Sequence, residues 1–208
     1  DLAYAQYRAY DDYGQMVNLV NVDAKFDLGD TEQELCNKSY VGKMVVNEPY
    51  NLFNYANIGY QTYFNPQEEI NLIEKLFFEA YRLGDISSDI TLSEPVMRDA
   101  NIVSLDVSSV AMPGVNPAMP NGFNGKEICA LARYAGISDK VSSFGVYEIQ
   151  DLHISKNSAM LVSQILWYFI EGVNFRKKEY NNSFLKEFTK FTVPLQDETL
   201  VFYRSELS

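Results

Sequence analysis

The sequence predicts a three-layer α/β/α fold on a mainly parallel sheet, and three observations carry that prediction. First, residues 16–29 (MVNLVNVDAKFDLG) hold an apolar, β-branched run, Val17, Leu19, Val20 and Val22, that leads directly into Asp23 and Asp27. A run of this kind bounded by turn signals reads as a strand buried on both faces of a parallel sheet. Second, the design repeats: residues 101–110 (NIVSLDVSSV) contain Asp106 and residues 141–149 (VSSFGVYEI) contain Glu148. Third, strand-like and helix-like stretches alternate along the chain, with no internal repeat, low-complexity tract or linker. Chemistry in open α/β sheets sits beyond the carboxyl ends of the strands, where Asp23, Asp27, Asp106 and Glu148 would meet.

Taken in order, residues 1–13 read as a helix that Gly14 ends in a left-handed cap. The first strand follows at about 16–23. Residues 28–51 are polar and turn-rich, a long loop of active-site type holding one short apolar piece at 44–46. Residues 56–62 (ANIGYQT) read as a strand. Asn65 is the expected cap of the next helix, with Pro66 at its first position and Glu68 reaching back. Its apolar face is Ile70, Ile73, Leu76, Phe77, Ala80 and Tyr81, and Gly84 ends it. Residues 85–99 hold a weaker helical piece before the strand at 101–106. The prolines Pro113, Pro117 and Pro120 exclude helix and central strand from 107–123. Asn124 and Glu127 form a capping box for a helix that Gly136 closes. A strand at 141–149, a helix at 158–173, an amphipathic stretch at 184–191 and a last strand at 199–203 follow.

At 208 residues the chain fits one domain, large enough to bury a sizeable core. Its 47% hydrophobic and 22% charged content is that of a globular protein. A net charge of −11 excludes nucleic acid and anionic membrane surfaces as expected partners, and leaves a cationic substrate compatible with the surface. Cys36 and Cys129 cannot build a disulfide framework; Cys129, beside Ile128 and Leu131, reads as a small buried apolar residue, and the cytoplasm is the expected compartment. The most apolar run, 159–173, is interrupted by Ser163, Gln164 and Glu171 and is shorter than a membrane span, so a buried helix is expected. No signal peptide is visible, and the start at Asp1 points to a removed leader or a longer protein. Trp167 and the tyrosine-rich opening are expected in the core.

The four carboxylates form a cluster if their strands are neighbours. Like charges packed together raise one another's pKa unless a cation lies among them, so such a cluster calls for a metal ion or a basic side chain, and hard oxygen ligands suit Mg, Mn or Ca. The alternative is that aspartate at a strand end is only a turn or cap residue.

Asp23-Ala24-Lys25-Phe26-Asp27 resembles the Asp-Ala-His-x-Asp motif of the arginase/agmatinase/formiminoglutamase (ureohydrolase) family. Ser104-Leu105-Asp106-Val107-Ser108 is similar to that family's Ser-Phe-Asp-Val-Asp. Pro113-Gly114 and Pro120-Asn121-Gly122 resemble its Pro-Gly…Pro-Gly-Gly loop, and Phe144-Gly145-Val146-Tyr147-Glu148 resembles its later strand ending on glutamate. Order, strand context and spacing agree over most of the chain, and the formiminoglutamase-like branch is the nearest in flavour. The resemblance implies a single arginase-type domain over 1–208 that lacks the N-terminal portion of the family fold and looks clipped at its C-terminus. In that family two Mn ions, bridged by carboxylates, activate a hydroxide that attacks a guanidinium or amidine carbon. By resemblance, Asp23, Asp27 and Asp106 match metal ligands, and Glu148 matches the carboxylate that holds the substrate's cationic group.

The departures concern the same metal position. Lys25 stands where the motif has histidine and Ser108 where it has a second aspartate; a protonated ammonium has no lone pair and serine is a poor substitute for an anionic ligand. The family's first histidine lies in a Gly-Gly-Asp-His loop that would precede this chain, and His153 matches no ligand and reads as a loop residue. Lys25 is therefore expected to lie among Asp23, Asp27 and Asp106, offsetting part of their charge, so that Lys25→Ala would destabilise the fold. Three functional readings follow: a Mn-dependent hydrolase of guanidino or formimino C–N bonds with an impaired or lost dinuclear site, a non-catalytic binding or structural relative, and a single-metal hydrolase. One or no Mn ion is expected, with a small cationic guanidino or formimino substrate if active, and a homo-oligomer is possible within the family. No Gly-rich phosphate loop and no Gly-x-Ser-x-Gly elbow is present.

Overall fold

In the computed structural model, residues 2–111, 119–149, 156–177, 188–195 and 199–205 are described. Five parallel strands build the central sheet: β1 (Val17–Val22), β2 (Leu52–Tyr60), β3 (Glu79–Arg82), β4 (Ile102–Asp106) and β5 (Ser143–Tyr147), in the order β3-β2-β1-β4-β5. The strand that carries Asp23 is thus central, flanked by β2 and β4. Two cores form because side chains alternate between the faces. Helices α1 (Leu2–Arg8), α2 (Tyr40–Val46) and α3 (Gln67–Lys75) cover one face, where Tyr7, Met44 and Ile73 pack on Val17, Leu19, Tyr55 and Ile102. Helices α4 (Leu83–Ser88), α5 (Ser93–Arg98), α6 (Gly125–Ile137) and α7 (Lys156–Asn174) cover the other, where Ile86, Met97, Leu131 and Ile165 pack on Val20, Val22, Ala56, Val103 and Leu105. The three-layer fold is as the sequence predicts. A separate antiparallel hairpin joins β6 (Phe188–Pro194) to β7 (Thr199–Ser205). Among the described residues no helix is long and apolar enough to cross a membrane.

Several local expectations hold. Gly14 is left-handed, at φ 58°, as expected, although the helix expected over 1–13 stops at Arg8 and Gly14 caps a separate 3-10 turn at Asp11–Tyr13. Asn124 and Glu127 form the capping box of α6: the Asn124 side chain accepts from the Lys126 and Glu127 amides, and Glu127 accepts from the Asn124 amide at 2.8 Å. Cys129 is buried and Cys36 exposed.

Others are corrected. The single helix expected from Asn65 to Gly84 is instead α3, β3 and α4 in succession. Phe77 takes a left-handed φ of 57°, and the amides of Phe77 and Phe78 turn back to the carbonyls of Glu74 and Ile73, ending α3. The chain then pairs with β2, Ala56 opposite Glu79 and Ile58 opposite Tyr81. Edge pairing with a strand distant in sequence outweighs a local helical pattern, which is why periodicity misleads here. Pro66, not Asn65, is the cap residue of α3, and no side chain caps it, because Asn65 is occupied elsewhere. Gly136 does not close α6; it lies inside the helix against Gly172 of α7, where an added Cβ would stand 2.2 Å from the Phe169 carbonyl oxygen. The short piece expected at 44–46 is the longer α2, and the strand at 56–62 is β2, which begins earlier and stops at Tyr60. Trp167 is not core: it is 58% exposed on the outer face of α7, and Tyr13 is likewise exposed, while Tyr7 is fully buried. Of the amphipathic stretch 184–191, residues 188–191 are strand, and the rest lies outside the described residues, as do Pro113, Gly114, Pro117 and His153.

Candidate functional site

β1 and β4 are in register, Asn21 opposite Ser104 and Val22 opposite Leu105. Asp23 and Asp106 therefore leave neighbouring strands at the same rim. Asp23, one residue past β1, is 3% exposed, and its Oδ1 accepts the Lys25 amide at 3.0 Å. Asp27 is 9% exposed and holds a left-handed φ of 54°, which turns the loop back over the strand end. The half-buried Asp106 accepts the Ser108 amide at 2.6 Å.

The three aspartates sense one another. Burial pushes the Asp23 carboxyl well above the usual carboxylate range, and the charge of Asp27 and a carboxyl–carboxyl hydrogen bond to it push further in the same direction. Burial raises Asp27 to about 7, opposed by its hydrogen bond with Asp23 and reinforced by the charges of Asp106 and Glu148. Burial, then the charge of Asp23, raises Asp106 to about 7. Two carboxyls sharing one proton is the expected response when like charges are buried together. Glu148 stands just beyond β5 at φ 57°, half-buried, and accepts the Asn37 side-chain amide at 2.9 Å. The sheet thus brings Asp23, Asp27, Asp106 and Glu148 to one rim.

Lys25 is not among them. It is exposed, its ammonium lies 5.8 Å from the centre of the Phe64 ring, and the ion pairs among the described residues do not include it. Its charge lowers Asp23 and Asp27 only as a minor effect beside burial. Following Asp23 on a tight turn, the side chain points outward, where its ammonium stays hydrated. The expectation that Lys25 holds the strand ends together is corrected accordingly, and with it the basis for Lys25→Ala destabilisation.

The loop is held by a residue not singled out for that role. Asn65, 7% exposed, accepts the Phe26 amide at 2.9 Å and donates to the carbonyls of Ala24 and Gln61 at 3.0 and 2.9 Å. Beneath the aspartates, on the α1–α3 face, the buried Asn21 donates to Tyr40 Oη at 2.5 Å, and Asn57 donates to the Lys25 carbonyl at 2.8 Å. The Asn21 and Asn57 Oδ1 atoms accept no hydrogen bond among the described residues. Two asparagines facing each other across otherwise apolar strands are the sequence signal for this polar layer.

A three-layer sheet with converging carboxylates at its carboxyl rim defines a class, and sequence comparison places the chain within it. The Arginase family profile matches residues 1–171, and the chain belongs to that family. Among solved structures it is similar to Trypanosoma cruzi formiminoglutamase with Mn2+, with a TM-score of 0.75 and 16% identity over 84% of this chain and 62% of that one. It is also similar to formimidoylglutamase from Bacillus subtilis, with a TM-score of 0.72 and 15% identity over 84% and 58% of the two chains. Agmatine ureohydrolase of Thermoplasma volcanium aligns with a TM-score of 0.62 and 18% identity, over 87% and 70%. The chain therefore spans less than two thirds of the length of either formiminoglutamase. No curated protein sequence matches it significantly.

The donor set can be tested against the two-manganese centre that the family implies. Among the described residues, no group of three or more His, Cys, Asp or Glu side chains is gathered so as to hold a metal ion. Lys25 faces solvent and Ser108 offers only a neutral hydroxyl, so neither supplies the ligand that its motif position would require. These residues do not fit a complete dinuclear centre.

Proposed function

We propose that this chain is an arginase-family protein that keeps the cation-binding half of a ureohydrolase site and lacks a complete two-manganese centre. Asp23, Asp27, Asp106 and Glu148 present carboxyl oxygens at one rim, and a small guanidino- or formimino-type cation is the ligand that suits them. The resonance-spread charge and planar N–H edge of such a group match paired carboxylates. The observation that supports an impaired centre is the placement of Lys25: the side chain at the motif's histidine position is directed to solvent over Phe64 and contributes neither a ligand nor an inserted ammonium.

The test is to load the full-length protein with Mn, remove the excess by gel filtration and count Mn per chain by elemental analysis. Hydrolysis of formiminoglutamate, agmatine and arginine is then assayed, with agmatine binding measured on the metal-free protein. The expected result is fewer than two Mn per chain, no turnover, and saturable agmatine binding that Asp27→Asn weakens. Two Mn per chain with turnover would overturn the reading; one Mn with turnover would establish the single-metal hydrolase instead.

A further inference from the structure

Beside the carboxylate rim, at the carboxyl ends of β2 and β3, lies a cavity of about 280 Å³ whose lining includes Tyr60, Gln61, Thr62, Arg82, Ser87 and Asn121. The Gln61 side chain is satisfied internally. Gln61, 5% exposed, donates to the Asn121 carbonyl at 2.9 Å and accepts the Tyr63 hydroxyl. The terminal donors of Arg82 are not satisfied in this way. Arg82 Nε donates to Tyr60 Oη at 3.2 Å, and the guanidinium lies over the Tyr60 ring, 5.9 Å from its centre, which fixes the head group. Among the described residues the terminal nitrogens of Arg82 meet no acceptor. Asp85, the acid that acts on Arg82 through its charge, is not within ion-pair distance. The hydroxyls of Thr62 and Ser87 are likewise not engaged. In a chain of net charge −11, an oriented guanidinium without an ion-pair partner, flanked by free hydroxyls, is a donor-rich recess.

We propose that this recess binds the carboxylate of a small ligand, with Arg82 as the anchor and Thr62 and Ser87 as flanking donors. A planar guanidinium held at Nε presents a terminal edge suited to a two-point carboxylate contact. A tetrahedral phosphate is the competing anion, and the planar fork of Arg82 matches the two coplanar oxygens of a carboxylate. The Gln61 amide donates to the Ala24 carbonyl at 3.0 Å, so the recess abuts the loop that carries Asp23 and Asp27. A ligand with a carboxylate at one end and a cationic group at the other would span the two. The carboxylate site itself requires neither a metal ion nor turnover, so it stands or falls separately from the cation-binding reading.

The experiment is saturation-transfer NMR on the metal-free protein, titrated at constant ionic strength with glutarate and separately with inorganic phosphate. The parent, Arg82→Gln, Arg82→Lys and Ser87→Ala are compared. Glutarate is expected to saturate in the millimolar range, about tenfold more weakly in Arg82→Gln. Arg82→Lys should fall between, because it keeps the charge and loses the fork. Arg82 is exposed, so these variants should melt with the parent. If Arg82→Gln does not fold, Ser87→Ala still reads the same recess through a smaller loss in the same direction. Unsaturable glutarate signal, equal affinity in parent and variants, or phosphate binding as tightly as glutarate would overturn the assignment.

Discussion

Replacing Asp27 by asparagine should stabilise the metal-free protein at alkaline pH far more than at acid pH. Asp27 is 9% exposed, and its carboxyl is raised from 3.8 to about 7. A raised carboxyl pKa means that the folded state binds a proton the unfolded state has released. The stability it contributes is then full below about pH 4 and is lost as pH rises towards 7. The whole displacement corresponds to about 4 kcal/mol, of which roughly 2–3 kcal/mol falls between pH 5 and pH 8. Asparagine has no proton to lose and accepts the left-handed φ of 54° better than most residues, so the backbone is kept. Its amide can also donate to Asp23, in place of the shared proton. The melting temperature of Asp27→Asn relative to the parent should therefore climb by about 5–10 °C between pH 5 and pH 8 for a chain of this size. Thermal denaturation followed by circular dichroism in EDTA, at half-unit pH steps, reads this directly. A difference in melting temperature that stays constant across the range would refute the reasoning, because it would show that folding leaves the proton affinity of Asp27 unchanged.

Two further predictions rest on packing. Asn65→Ala removes one acceptor and two donors from buried backbone groups of the 23–27 loop, and should cost about 2–4 kcal/mol in urea unfolding; Asn65→Asp, which keeps the acceptor for Phe26 but sets a carboxylate oxygen against the Ala24 and Gln61 carbonyls, should cost at least as much. Gly136→Ala drives a methyl against the Phe169 carbonyl and should destabilise by about 1–3 kcal/mol, whereas Gly84→Ala, whose Cβ meets nothing within 4 Å, should be neutral or slightly stabilising. Equal urea midpoints for the two glycine variants would contradict the close α6–α7 approach.

The layered fold and the rim position of the acidic residues are legible in the sequence because they depend on short-range patterns. A β-branched run such as that of β1 must be buried on both faces, and the capping box at Asn124 satisfies amides within a few residues of itself. What resists reading depends on partners distant in the chain. β3 is a strand because β2 offers it an edge, although residues 70–81 carry a helical stripe. Asn65, a natural cap by position, is drawn instead to the Phe26 amide 39 residues away. Gly136 looks like a helix end and is a helix crossing, a distinction that exists only once α7 lies against α6.

The candidate site divides in the same way. The sequence by itself determined which residues are present: three aspartates at strand ends, a glutamate after the last strand of the sheet, and a lysine and a serine at two positions where the family motif carries ligands. The tertiary structure alone decided what those residues do to one another. It buried Asp23 and Asp27 so that both carboxyls are pushed above the usual carboxylate range, turned Lys25 away from them towards Phe64, and left Arg82 oriented on Tyr60 beside an open recess. The physical reason is that charge and chemistry belong to the residue, whereas desolvation and distance belong to the fold, and an ionisable group acts through both.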